Sequence, residues 1–261
     1  MGLDQVNLVT VMDYLSLLFD EGRAYKTILV HRSTISSMLP PIDGFSIGNH
    51  PTVSRLIRGI FQNRPPSRRM FQSWNVTSVF EKLPPPDTFV NAQRRCAFLL
   101  AMASSRRPSE IASLKCSTAF MTISADKVRF IPSRLSKTDR QNYLGPAIVI
   151  HRLPSPSPQS PCPVEALESL LSLRNSLNIT HDHIFSLPHP PFDQIDVGNF
   201  SRLIKECFRR AGVSAPPGST RSISVSDAFA KGASVEEVMK AGDWSASSTF
   251  YDHCLRPSAS C

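Results

Sequence analysis

Apolar positions in the first part of the chain recur at helical spacing. Val6, Val9, Val11, Tyr14, Leu15, Leu17 and Leu18 form one amphipathic stretch, stopped by Gly22. Tyr25, Ile28, Leu29, Ile35 and Leu39 form a second, stopped by Pro40-Pro41. Val53, Leu56, Ile57, Ile60 and Phe61 form a third, and Trp74 opens a fourth with Val76, Val79, Phe80 and Leu83. No strand-like alternation interrupts them. The pattern predicts a small all-α domain over residues 1–83, closed by Pro84-Pro85-Pro86.

The pattern changes after the prolines. The apolar run around Phe98 to Ala103 predicts a buried helix, and Pro108 to Leu114 another. Three strand-like runs follow, Ala119 to Ser124, Val128 to Ile131 and Ala147 to Ile150. Asp126-Lys127 separates the first two, and a polar loop from Ser133 to Gly145 separates the last two. Pro163 suits the first turn of a helix reaching about Leu177. Further helices fit Val197 to Ala211, Ser219 to Ala230, Val235 to Ala241 and Ser247 to His253, while Pro154 to Pro163 reads as a loop. The fold class is therefore mainly α with a small antiparallel β-sheet, in two domains, 1–83 and 84–261.

Composition narrows the partners. The chain has 261 residues, 41% of them hydrophobic, with a net charge of +8 and a pI near 9.4. Two domains of ordinary size fit this length, and the basic balance favours a polyanion, nucleic acid ahead of membrane. Six cysteines stand at 96, 116, 162, 207, 254 and 261 without a C-x-x-C pair, so reduced intracellular thiols are expected, not a zinc knuckle or a disulfide framework. His181, His183 and His189 lack a matching cysteine or acidic set and are expected as loop histidines, with no metal bound. No signal peptide and no apolar run of spanning length is visible.

The basic residues are not spread evenly. Arg55, Arg58, Arg64, Arg68 and Arg69 fall between Pro51 and Trp74 with no acidic residue among them. Arg55 and Arg58 share one helix face, opposite Leu56, Ile57 and Ile60. Guanidinium groups in such a row suit phosphate oxygens by charge and by fork geometry. They are the candidate DNA-binding residues, and duplex DNA is the expected partner.

Two motifs carry chemistry. The first is Gly218-Ser219-Thr220-Arg221-Ser222; the second begins Ala241-Gly242-Asp243-Trp244-Ser245 and runs on through Thr249-Phe250-Tyr251-Asp252-His253-Cys254-Leu255. Together they resemble the C-terminal active-site region of the tyrosine recombinases, or phage-integrase family, which cut and rejoin DNA. The N-terminal run from Ala24-Tyr25-Lys26-Thr27-Ile28 through Pro40-Pro41-Ile42-Asp43-Gly44 to Arg64-Pro65-Pro66 resembles the SAM-like core-binding domain of recombinases from DIRS-type retrotransposons. The resemblance implies a helical SAM-like domain clamping one side of a duplex and a mixed α/β catalytic domain clamping the other. It also implies self-association on DNA, no cofactor, no metal, and a nuclear location in a eukaryotic host.

Phosphodiester transfer by a tyrosine needs an in-line nucleophile, cations on the phosphoryl oxygens, an acid for the leaving oxygen and a base for the phenol. The resemblance assigns the first arginine to Arg107, in Arg106-Arg107-Pro108-Ser109-Glu110, with Arg106 as the competing register. It assigns the acid to Lys137, the second arginine to Arg221, and the ring N–H donor to Trp244. Two positions depart from the pattern. Gly218 stands where the family has a histidine, and Cys254, ten residues after Trp244, stands where it has the tyrosine. Tyr251 lies three residues before Cys254. The resemblance thus leaves three readings open: a DNA-binding protein with an impaired active site, an active recombinase using Tyr251, and a host-recruited binding module without chemistry.

Overall fold

The first and third helices begin where a side chain takes up a free backbone N–H group. In the computed structural model, which describes residues 7–66, 74–137, 139, 141–142, 144–154 and 161–244, Asn7 accepts from Thr10 N at 3.0 Å and opens α1, Leu8–Asp20. α2 spans Tyr25–Met38. A short 3-10 turn, Ile47–Asn49, leads into α3, Pro51–Asn63, which starts with Pro51 and with His50 Nδ1 accepting from Thr52 N. Between α2 and that turn, Asp43 (φ 51°) and Gly44 (φ 79°) are both left-handed, the conformation that an Asp-Gly pair adopts at least cost in a tight reversal. Leu15, Ile28, Ile47 and Val53 are fully buried and form the core of this helical unit.

By Cα proximity the chain divides into two compact units, Met1–Met70 and Phe71–Cys261. The fourth helix of the sequence reading, α4 (Val76–Glu81), belongs to the second. Trp74 lies in its core, ring centroids 4.9 Å from Phe208 and 6.1 Å from Phe98, and Val79 and Leu83 are buried with it. The boundary drawn at Pro84 falls inside this unit. Pro84 is held there, buried, with its carbonyl accepting from the buried Arg95.

The second unit is built round α5, Phe89–Ser104, in which every residue from Cys96 to Met102 is buried. Sequence periodicity predicts only its apolar C-terminal half. The N-terminal half is polar but inside, because Gln93 accepts from Ser186 N and Arg95 reaches Pro84. α6 (Pro108–Ala112) follows at once. β1 (Met121–Ile123), β2 (Lys127–Phe130) and β3 (Ile148–His151) form an antiparallel sheet in that order, with Val128 opposite Ile150 and Phe130 opposite Ile148. These four side chains are buried while Arg129 and Val149 face out, the alternation of a one-sided sheet. α7 (Pro163–Ser176), α8 (Val197–Arg210) and α9 (Ser219–Ala230) pack on α5, and α10 (Val235–Gly242) packs on α9. The helix expected from Ser247 to His253 lies outside the described residues.

Candidate functional site

α5 ends on Ser105 in the left-handed region, φ 52°, a conformation that costs a non-glycine residue roughly 1–2 kcal/mol. The Ser105 hydroxyl shares a buried 2.8 Å hydrogen bond with Ser224 Oγ of α9, which fixes the turn against that helix. The two arginines that follow part company. Arg106 turns inward, with a side chain 3% exposed. It lies 3.3 Å from Asp243 Oδ2 and donates to Pro146 O at 3.2 Å. Arg107 precedes α6, keeps 27% of its side chain exposed, and donates to Glu110 Oε1 at 2.6 Å.

Arg221 sits on α9, whose first turn is anchored by a buried bond from Trp74 Nε1 to Ser219 Oγ at 3.0 Å. Its guanidinium lies 4.1 Å from the Trp244 ring centroid, and its Nη2 donates to Gly242 O at 2.6 Å. Gly242 also abuts the ring: a Cβ there would fall 2.0 Å from Trp244 Cζ3. A methyl group and the stacked indole cannot occupy this place together. Gly218, at the start of α9, is exposed, with φ −65° and nothing within 4 Å of an added Cβ. Neither strain nor crowding requires glycine there.

Lys137 is exposed in the loop between β2 and β3. Asp139 cinches this loop by accepting from Ser136 N and from Gly145 N, both at 2.7 Å. Burial, the largest single influence, raises the Asp139 pKa. Those two backbone N–H groups, the Ser136 hydroxyl and Arg106 together outweigh it and hold the carboxyl below its ordinary value. The one Ser136 hydroxyl proton is shared between two carboxylates, with Oγ 3.0 Å from Asp139 Oδ1 and 3.2 Å from Asp243 Oδ2. The contacts thus run without a gap from Arg107 through Glu110, Arg106 and Asp243 to the Gly242–Trp244 turn and Arg221, with the residue before Lys137 joined at Asp243.

In the first unit, Arg55 and Arg58 are exposed on α3, opposite the buried Val53, Ile57 and Ile60. Arg64 turns back. Its Nη1 donates to Phe19 O at 2.9 Å and to Arg23 O at 3.2 Å, and its guanidinium lies 4.1 Å from the Phe19 ring centroid. Arg68, Arg69, Tyr251 and Cys254 lie outside the described residues. Among the described residues there is no group of three metal-binding side chains and no helix long and apolar enough to cross a membrane. His181 Nε2 lies 2.7 Å from Phe192 O, within its own loop. Burial raises the Cys96 thiol pKa, and it pushes that of Cys207 up to about 12, so both favour the neutral thiol.

Asp243, Ser136 and Gly145 carry no motif in the sequence, and Arg106 stands there only as the rival register to Arg107. No local signal marks Asp243 as the partner of an arginine 137 positions earlier.

No protein-family model and no curated protein sequence matches the chain. Solved structures do. The chain is similar to the XerH site-specific recombinase in a post-cleavage complex with its difH substrate, with 14% identity and a TM-score of 0.62, covering 97% of this chain and 70% of that one. It is similar to residues 75–356 of lambda integrase, crystallised as a dimer on a COC′ core site, with 14% identity, 100% and 84% coverage and a TM-score of 0.58. It is also similar to the Tn1549 transposon integrase bound to circular intermediate DNA, with 10% identity, 99% and 84% coverage and a TM-score of 0.55. The chain has the tyrosine-recombinase fold. In this chain Lys137 lies in the loop between β2 and β3, Arg107 between α5 and α6, Arg221 on α9 and Trp244 just after α10.

Proposed function

We propose that this chain is a tyrosine-recombinase family member, derived from a DIRS-type element, that binds duplex DNA but is impaired in strand cleavage. The observation that carries the binding half is Arg221. Its guanidinium is oriented by the Trp244 ring and by the Gly242 carbonyl, and this pair is linked by contacts to the turn that bears Arg107. Two oriented guanidinium groups and the exposed Lys137 would meet the oxygens of one backbone phosphate, with the arginines neutralising charge and the lysine facing the leaving oxygen. Arg55 and Arg58 would add sequence-independent phosphate contacts from the first unit.

The impaired half rests on two side chains. Gly218 offers no group to take a proton, and its open surroundings leave room for one. Cys254, at the tyrosine position, ends several ångströms nearer the backbone than a phenol oxygen, where misplacement by about 1 Å can cost roughly 10²-fold in rate. Location in a nucleus and assembly of several copies on DNA follow from this reading as further proposals.

The test has two arms. Duplex affinity should fall steeply with salt, with a log–log slope of several units. On a nicked suicide substrate the protein should form little covalent adduct, Cys254→Tyr should restore some, and adding Gly218→His should raise it further. Absence of duplex binding at low salt refutes the binding half. A 3′-phosphoryl link to Tyr251 in the unaltered protein refutes the impaired half in favour of an active enzyme.

A further inference from the structure

Asp243 occupies a position that its backbone does not favour. α10 ends with Trp244 N donating to Met239 O and Asp243 N donating to Lys240 O, the paired reversal that usually places glycine at the left-handed residue. Here that residue is Asp243, φ 54° and ψ 56°, with a side chain only 4% exposed. A left-handed backbone and a desolvated carboxylate are both unfavourable. Both are offset at one point. The carboxylate meets the equally buried Arg106 and accepts from Ser136, whose own partner Asp139 closes the loop that carries Lys137.

The arrangement draws three segments together: the 105–107 turn, the 136–145 loop and the 242–244 turn. Gly145 completes it, because a Cβ there would fall 3.1 Å from both Asp139 Oδ1 and Asp243 Oδ2, so the loop backbone lies directly on the two carboxylates. A removed buried partner leaves an uncompensated charge, so such a pair resists sliding of the segments it joins.

We propose that Asp243 is a positioning residue that acts through Arg106 and Ser136 to hold the Trp244–Arg221 stack in register with the turn of Arg107 and the loop of Lys137. The inference rests on the DNA-binding reading for its purpose, but its geometry can be tested without DNA. The chain has two tryptophans, Trp74 and Trp244, so a 5-fluorotryptophan-labelled protein gives two ¹⁹F resonances, assigned by replacing each ring with phenylalanine.

Asp243→Gly relieves the backbone and removes the clamp. The Trp244 resonance should shift or broaden while that of Trp74 stays in place. Duplex affinity by fluorescence anisotropy should fall roughly tenfold, about 1.4 kcal/mol. Arg106→Met should do the same, and the double variant should be no worse than the poorer single one, since the two side chains act as a unit. Asp243→Asn, which tolerates the left-handed backbone and keeps an acceptor, removes only the charge. It should move the Trp244 resonance in the same direction and serves if Asp243→Gly does not fold.

An unmoved Trp244 resonance in both Asp243 variants, or effects of Arg106→Met and Asp243→Gly that simply add, overturns the clamp. If the unaltered protein fails to bind duplex, the DNA-binding reading falls while the ¹⁹F result still decides the clamp.

Discussion

Gly242→Ala isolates the Trp244–Arg221 stack with a single methyl group. The added Cβ would lie 2.0 Å from Cζ3, 2.4 Å from Cε3 and 2.6 Å from Cη2 of Trp244. Ordinary contact begins near 3.4 Å, so the ring edge must retreat by well over an ångström. Trp244 is only half-buried and can move, so the clash is relieved by leaving the stack and not by disrupting the core. Global stability then reflects two opposing effects. Alanine gains up to about 1 kcal/mol over glycine in a helix, and the lost cation–π contact costs about 0.5–2 kcal/mol. The net change lies between a gain of about 0.5 and a loss of about 2 kcal/mol, where about 1 kcal/mol is worth roughly 2–4 °C in Tm for a unit of this size.

The DNA affinity should fall as well. An unstacked Arg221 samples many rotamers and must be ordered on binding, at about 0.5–1.5 kcal/mol, which predicts up to a roughly tenfold weaker Kd. Calorimetry and anisotropy on the same preparation check this. Trp244→Ala removes the clashing ring, so Gly242→Ala in that background should have no further effect on affinity. A Gly242→Ala variant with both the affinity and the Trp244 ¹⁹F resonance at wild-type values would show that the stack does not orient Arg221. So would an effect of the substitution on affinity that is equal with and without the indole.

Further outcomes follow for the arginines and for acid stability. Arg64→Ala should lower the melting temperature of the first unit, because it takes donors from Phe19 O and Arg23 O and a cation from the Phe19 ring, a loss of about 1–3 kcal/mol. Arg55→Ala and Arg58→Ala should leave that temperature unchanged and each reduce the salt slope of duplex binding by about 1; equal thermal effects at all three positions would contradict the distinction. Hydrogen bonding to Arg209 holds Glu206 down to about 2 from an ordinary 4.5. A depressed carboxylate stabilises the fold above its unfolded pKa and loses that contribution as pH falls through its folded one. Glu206→Gln should therefore lower Tm at neutral pH, with the difference vanishing between about pH 4.5 and 2 in a calorimetric series.

Periodicity made most elements legible. The apolar spacing of α1, α3, α8 and α10 follows from one buried face each, and the alternation of Val128, Arg129 and Phe130 follows from a one-sided sheet. What stayed hidden is polar and buried. Gln93 and Arg95 interrupt the apolar signal of α5 because their partners, Ser186 N and Pro84 O, come from distant segments. Trp74 was visible as a helix opener but not as part of the second core, since its contacts to Phe98, Phe208 and Ser219 exist only once the chain has closed. In the site, Arg221 and Trp244 stood out by motif, whereas the partition between Arg106 and Arg107 depends on a turn at Ser105 that spacing does not encode.

The bond from Trp74 to Ser219 sets where this protein can be cut. A fragment starting at the triple proline would look like a whole second domain, yet it would lack the indole that packs on Phe98 and Phe208 and the donor that anchors the helix of Arg221. The lost ring would leave a cavity beneath α9, and truncations of this size in a core cost about 3–5 kcal/mol. A fragment meant to keep Arg221 in place has to begin upstream of Trp74.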